Sequence, residues 1–278
     1  MTRVPFRKMH GLGNDFVVLD RRAGSLAVGA AAARALADRH TGIGCDQIVL
    51  IEPPIDPRAL AFVRFLNADG SEAGACGNGI RCVARLVGEE TGARRFALAT
   101  VAGLLDAELL DDGRVAVDMG EARLGWRDIP LAREMDTLRV DLALGPLAGP
   151  TCTGMGNPHA TFFVPDVEAV DLAALGPALE HDPIFPERAN IGIASVRDRE
   201  TIRLRVWERG VGLTLACGSG ACAALVAAAR RGLTGRRAAL LVDGGRLDIA
   251  WRDDGHVLMS GPAALSFEGS FDPALLAG

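Results

Sequence analysis

The chain has 278 residues, a net charge of −5, 49% apolar residues and a mean hydropathy of +0.20. That balance argues against disorder. It offers no basic block for nucleic acid and no uninterrupted apolar run of roughly 18 residues for a membrane span. The length is long for one core and natural for two.

Taken in chain order, residues 3–9 and 16–20 read as strands around the Gly-rich loop Gly11-Leu12-Gly13-Asn14. Residues 29–39 are Ala-rich and helical. Strands follow at 48–52 and 61–67, with a tight turn at Asn67-Ala68-Asp69-Gly70. A helix over 78–90 ends near Gly92. Residues 96–101, 104–110 and 114–119 form a strand meander turned by Asp111-Asp112-Gly113. The second half repeats the plan. A strand at 160–164 precedes a helix at 170–180, then strands at 191–196 and 202–208. A long helix spans 219–231, and the closing meander occupies 240–242, 246–251 and 257–260, turned by Asp253-Asp254-Gly255.

The repetition is also written in the motifs. Ala75-Cys76-Gly77-Asn78-Gly79 recurs as Ala216-Cys217-Gly218-Ser219-Gly220, 141 positions later. Gly13-Asn14 is echoed by Gly156-Asn157, with the asparagines 143 apart, and the glycines closing the two meanders, Gly120 and Gly261, are again 141 apart. A period this long is not a solenoid, whose repeats run about 20–50 residues. It predicts an α+β fold of two pseudosymmetric domains made by internal duplication, each a mostly antiparallel sheet wrapped around a central helix. The expected domains are 1–121, with 262–278 returning to it, and 122–261. A cleft between two such domains is a preferred ligand site.

Each duplicated cysteine falls at the start of its half's apolar helix. Unpaired backbone N–H groups and the helix dipole there favour a thiolate, so both thiols are expected to have lowered pKa values. The adjoining glycines leave amides uncovered, and such a nest can hold a carboxylate. Two thiols on opposite sides of one α-carbon suit a reaction in which a proton leaves one face and another arrives on the other. Lys8 is the sole lysine against 29 arginines. It lies outside any phosphate loop and is a poor anchor for pyridoxal phosphate, so no cofactor and no metal are expected. Residues 1–8 carry no apolar signal core, and six cysteines are too few for a disulfide scaffold. A cytoplasmic, reducing setting follows as an expectation. Cys45, Cys82, Cys152 and Cys222 read as small buried hydrophobes. His10, His159 and the pair Glu208-Arg209, taken alone, read as structural.

The segments Lys8-Met9-His10-Gly11-Leu12-Gly13-Asn14-Asp15-Phe16, Asn67-Ala68-Asp69-Gly70-Ser71-Glu72, Gly156-Asn157-Pro158-His159 and Glu208-Arg209-Gly210-Val211-Gly212, with the two A-C-G-x-G motifs, together resemble diaminopimelate epimerase. The resemblance runs from about residue 7 to about residue 262, in the family's order. It implies a cofactor-independent isomerase that interconverts LL- and meso-2,6-diaminoheptanedioate in lysine biosynthesis, as a cytoplasmic homodimer with a small amino-acid substrate. It implies Cys76 and Cys217 as acid/base thiols and His159 and Glu208 as their helpers. Asn14, Gln47, Asn67, Asn157, Asn190 and Arg209 are implied as substrate contacts, with Glu208 alongside. Gly77, Asn78, Gly218 and Ser219 are implied as the cradle of the reacting carboxylate. Two departures stand out: Leu213 replaces a frequent Glu, which removes an expected polar support near Cys217, and Ala75 stands where Gln is frequent. The alternatives are a proline, hydroxyproline or histidine racemase or epimerase on the same fold, or a thiol redox or metal-binding protein.

Overall fold

The computed structural model describes residues 3–24, 26–74 and 76–277. Ala75, the first residue of one duplicated motif, lies outside the described residues. The chain divides into two compact units, Met1–Val117 with Gly261–Gly278, and Asp118–Ser260.

In the first unit, β1 (Val4–Gly11) and β2 (Asn14–Asp20) form a hairpin. Leu12 and Gly13, both at positive φ, make its turn. Helix α1 (Ala30–Ala37) leads to β3 (Gln47–Glu52), which pairs parallel with β2. β4 (Ala59–Asn67) returns antiparallel to β3 and carries the short β5 (Glu72–Ala73). Helix α2 (Gly77–Thr91) follows and stops at Gly92, whose φ of 72° is the left-handed cap expected there. β6 (Arg95–Thr100) pairs parallel with β4, and β7 (Gly103–Leu109) and β8 (Val115–Glu121) complete the meander.

The second unit opens with the two-residue strands β9 (Ala143–Leu144) and β10 (Leu147–Ala148) and then runs the same course. β11 (Thr151–Gly154) and β12 (Pro158–Phe163) pair antiparallel. Helix α3 (Leu172–Glu180), capped by the Asp171 side chain accepting from Ala174 N at 3.1 Å, leads to β13 (Asn190–Asp198), parallel to β12. β14 (Thr201–Glu208) carries β15 (Gly212–Thr214) and is followed by helix α4 (Gly218–Arg230). β16 (Arg237–Val242) pairs parallel with β14, and β17 (Gly245–Trp251) and β18 (His256–Gly261) close the meander. The chain returns to the first unit in β19 (Ala264–Phe271), antiparallel to β1, and a 3₁₀ turn at Pro273–Ala277.

Each sheet curls around its long helix. α2 packs against β1, β2, β4, β6 and β7, and α4 against β11, β12, β13, β14, β16 and β17. Every residue from Gly220 to Ala228 is buried, as a helix apolar on all sides requires. A second helix covers the outside of each sheet, so the strands beneath it are apolar on both faces. In the first unit Val17, Leu19, Ile48 and Leu50 pack with Ala33 and Leu36 of α1. Phe16, Val18 and Val49 alternate with them and are equally buried on the other face. In the second unit Ala160, Phe162, Ile191 and Ile193 pack with Leu172 and Leu179 of α3. The four strand residues each lie 143 positions after their counterparts.

One substitution between the repeats shows how volume is conserved. Leu66 in the first unit becomes Trp207 in the second, 141 positions on, and Ala33 becomes Gly176, 143 positions on. A Cβ on Gly176 would stand 2.5 Å from Trp207 Cδ2. The larger indole occupies the space that the missing methyl leaves.

The sequence reading differs from this structure mainly in the short pieces. It assigned nothing to β5, β9, β10, β11, β15 or β19, and began the strand at Arg237–Val242 three residues late. These strands are too short or too polar to alternate visibly. In β19, residues Leu265–Glu268 are all exposed. The helix ends moved by one or two residues, because caps rather than apolar periodicity set them.

Candidate active site

Both duplicated cysteines are the N-cap residues of the enclosed helices, with extended backbones at φ −140°, ψ 109° for Cys76 and φ −113°, ψ 109° for Cys217. Each accepts the first helical bond through its carbonyl, from Ile80 N at 2.8 Å and Ala221 N at 2.9 Å. The second glycine of each motif has a packing reason of its own. A Cβ on Gly79 would stand 2.5 Å from the Phe65 ring, and one on Gly220 would stand 3.1 Å from the Cys217 sulfur.

Around Cys76, Asn14 from the start of β2 offers Oδ1 to the thiol at 3.8 Å and accepts Asn78 Nδ2 at 3.2 Å. Asn14 Nδ2 donates to Asp46 at 2.9 Å. Gln47, at the start of β3, donates to Asn67 Oδ1 at 2.8 Å across the β3–β4 pair, and Asn67 Nδ2 donates to Ser71 Oγ at 2.9 Å. Among the described residues, Gln47 Oε1 is buried with no hydrogen-bond partner. Beneath this group Lys8 is buried, ion-paired with Asp15 at 2.6 Å and bonded to the Gly44 carbonyl. Burial opposes ionisation of Asp15, but Arg39 and Lys8 outweigh it and hold the carboxyl well below its usual range.

Around Cys217 the polar groups differ. The sulfur accepts the Gly220 N–H at 3.3 Å and lies 3.7 Å from Ser219 Oγ. Burial pushes its pKa well above the ordinary thiol value, and the Glu208 carboxylate, hydrogen-bonded by the thiol, adds to this. Gly220 and Ser219 pull the other way without prevailing. This corrects the expectation of a lowered pKa at the second helix start. At Cys217 desolvation and a facing carboxylate exceed what the helix terminus supplies. His159 is buried too, and burial first, then Arg209, pushes its pKa down to about 3, which keeps the imidazole neutral. Its Nε2 lies 2.9 Å from Asn157 Oδ1 and 3.1 Å from Ser219 Oγ. Among the described contacts it reaches the sulfur only through the Ser219 hydroxyl.

The loop after β14 is held from below. Asn190 donates to the Pro158 carbonyl at 2.9 Å and accepts Arg209 N at 3.0 Å. The buried Glu180 accepts Trp207 Nε1 at 2.7 Å and Gly210 N at 2.9 Å. Arg209 Nη1 bonds the Glu187 carbonyl at 3.0 Å. Thr214 in β15 donates its hydroxyl to Glu208 Oε1 at 2.6 Å. Leu213 beside it is 41% exposed.

The duplication places these residues in equivalent rungs. Phe16 pairs with Gln47 across β2–β3, and His159 with Asn190 across β12–β13. His159, Asn190 and Glu208 thus stand where the first unit has Phe16, Gln47 and Asn67. Two similar backbones carry different chemistry: amides near Cys76, and a carboxylate, a hydroxyl and an imidazole near Cys217.

The family model for diaminopimelate epimerase matches residues 6–125 and 151–266, one stretch in each half. The chain belongs to the diaminopimelate epimerase family. A diaminopimelate epimerase of Acidiphilium cryptum is 63% identical over 273 residues, covering 98% of both chains, and one of Rhodospirillum centenum is 62% identical, covering 98% of this chain and 94% of its own. Among solved structures, a hydroxyproline epimerase of Agrobacterium vitis superposes with a TM-score of 0.70 at 15% identity, covering 99% of this chain and 94% of its own. A phenazine biosynthesis protein of Bacillus anthracis gives 0.70 at 12%, covering 98% and 100%. At such identities these last two share the fold alone.

Membership in the epimerase family separates the chain from the redox and metal-binding alternatives. Cys45, Cys82 and Cys152 are buried thiols whose pKa values burial pushes up to about 11, 12 and 12. Among the described residues no group of three or more His, Cys, Asp and Glu side chains is placed to hold a metal, and no helix is long and apolar enough to cross a membrane. Asp46, Arg81, Glu180 and Thr214 went unnoticed in the sequence. Asp46 sits beside Gln47, a residue the sequence already implied as a substrate contact, and Arg81 is a charge inside an apolar helical run; both were visible signals.

Proposed function

We propose that the chain interconverts LL- and meso-2,6-diaminoheptanedioate without a cofactor, with Cys76 and Cys217 as the two acid/base groups. The observation that carries this is the pair of helix-capping thiols, each beside a different acceptor: an amide oxygen at Cys76 and a carboxylate at Cys217. Glu208 can take the Cys217 proton, and the resulting thiolate can remove the substrate α-proton. Cys76 then delivers its own proton to the opposite face, leaving Cys217 as thiol and Cys76 as thiolate. The reverse direction exchanges the roles. The backbone amides of Gly77, Asn78, Gly218 and Ser219 lie at helix N-termini, where negative charge gathering on the reacting carboxylate is favoured.

In this reading Asn14, Gln47, Asn67, Asn157, Asn190, Glu208 and Arg209 contact the substrate. The partnerless Gln47 Oε1 is one acceptor suited to an ammonium group. His159, neutral and in contact with Ser219, aligns the second thiol's surroundings rather than ionising the thiol directly. The commitment of Lys8 to Asp15 and Gly44 supports chemistry that does not pass through a lysine adduct. The same reading extends to a homodimer working in the cytoplasm, which sedimentation of the purified protein tests.

The deciding experiment is incubation of the reduced protein with LL-diaminopimelate in heavy water, with no additions. Deuterium at the inverted α-carbon as meso product accumulates is the expected result. Activity only with added pyridoxal phosphate or metal, or only on proline or histidine, would refute the reading.

A further inference from the structure

Arg81 is fully buried within α2. A guanidinium has donors and no acceptor. Its Nη2 donates to Asn78 Oδ1 at 2.8 Å, and its Nε to the Pro262 carbonyl at 3.2 Å. Asn78 must therefore turn its oxygen toward Arg81. That leaves Asn78 Nδ2 to donate to Asn14 Oδ1, 3.2 Å away. At the other end stands Asp46, ion-paired with Arg39 at 2.8 Å and offering acceptors only. Its Oδ2 receives Asn14 Nδ2 at 2.9 Å and the Asp15 N–H at 3.0 Å.

The two ends of an asparagine amide are nearly alike in shape, and neighbours decide which is which. Here the neighbours are fixed by charge. The donors run one way, from Arg81 to Asn78 to Asn14 to Asp46, with a cation at the head and an anion at the tail. Asn14 consequently presents its oxygen, not its N–H, to the Cys76 sulfur at 3.8 Å.

The geometry points to Arg81 and Asp46 as positioning residues for the first thiol: they lock the Asn14 amide with its acceptor end toward Cys76, so that the sulfur is kept as a proton donor. The inference rests on the assignment of Cys76 as an acid/base thiol. A reversed amide would offer N–H to sulfur and favour the thiolate. An amide oxygen can hold an S–H but cannot take its proton, whereas a carboxylate can do both. The second unit lacks the device, because the positions equivalent to Arg81 and Asp46 are Cys222 and Ala189. There Glu208 faces the thiol. The first sulfur is thus held as a thiol by an amide oxygen that cannot take its proton, and the second faces a carboxylate that can.

The test uses Asp46→Asn, which removes the obligate acceptor and frees Asn14 to reverse, and Asp46→Glu, which retains an acceptor. Asp15→Asn removes a neighbouring charge of the same sign while leaving the Asp46–Asn14 bond. In a Cys217→Ser background, alkylation of Cys76 by iodoacetamide is followed against pH by peptide mass spectrometry on protein shown to be folded by its melting curve. The midpoint is expected to fall by about one pH unit in Asp46→Asn, to return in Asp46→Glu, and to stay near the parent value in Asp15→Asn. With Cys217 intact, Asp46→Asn should lower turnover about tenfold, the loss that roughly 1.4 kcal/mol produces, with KM little changed. An unmoved midpoint, or an equal shift in Asp15→Asn, overturns the proposal. Failure of the underlying assignment reads separately, as full turnover in Cys76→Ser.

Discussion

Thr214 donates its hydroxyl to Glu208 Oε1 across a distance of 2.6 Å, and the same carboxylate receives the Cys217 thiol. A hydrogen bond to a charged acceptor contributes about 1.5–3 kcal/mol. Thr214→Val keeps the shape and removes the donor. It should lower turnover on diaminopimelate about tenfold or more, while Thr214→Ser restores it. Steady-state rates of the two variants side by side check this; equal rates would make Thr214 a packing residue.

The two thiols should behave as one unit. Cys76→Ala and Cys217→Ala are each expected to abolish epimerisation, and the double variant to be no worse than either, because groups acting together do not contribute additively. Turnover and solvent deuterium uptake measured on all three variants test it. A double variant far below the singles would mean that each thiol works alone.

His159 makes stability depend on pH. Its pKa falls from 6.5 to about 3 on folding, so between those values the unfolded chain binds a proton that the folded chain refuses. Stability is full above about pH 6.5 and declines as pH drops toward 3, by at most about 1.4 kcal/mol per unit. His256 pulls in the opposite sense, since its contact with Asp118 raises its pKa, but it does so in parent and variant alike. Urea titrations of the parent and His159→Gln at pH 7 and pH 5 should therefore give a smaller pH loss in the variant. Equal losses would show that the imidazole is solvated in solution.

Gly176→Ala restores the residue found at the equivalent place in the first unit, yet it should destabilise, because its methyl would meet the Trp207 ring. Overpacking of this kind costs about 1–3 kcal/mol. Adding Trp207→Leu, the first unit's own pairing, should recover part of the loss. Thermal melts of the single and double variants decide it, and an additive decline would show that the two sites are not coupled.

Much of this fold could be read in the sequence because the duplication repeats its apolar pattern along with its motifs. Ile48 and Leu50 reappear as Ile191 and Ile193 at the same spacing as Asn14 and Asn157, so helices, meanders and the cysteine caps fell into place together. The strands that escaped notice bury little. β19 is visible only through its pairing with β1, which spans nearly the whole length of the chain. For the candidate site, the sequence named residues that the structure gathers near each cysteine, but it did not show their electrostatics. A helix start argues for a thiolate, and only the depth of Cys217 and the approach of Glu208 reverse that expectation. Arg81 and Asp46 were visible as residues, but their effect was not: each reaches Cys76 only through an asparagine amide whose direction its neighbours set.

Lys8 leaves one last consequence. A lysine-specific protease has a single cleavage point in this chain, and it falls within β1, between the ladders that β1 makes with β19 and β2. The side chain that such a protease must grip is buried against Asp15. Cutting requires β1 to leave both neighbours, so the native protein carries its own reporter of opening in the first unit. In the regime where reclosing is fast, the appearance of that one cut measures the free energy of lifting the strand, and it is silent to unfolding confined to Asp118–Ser260.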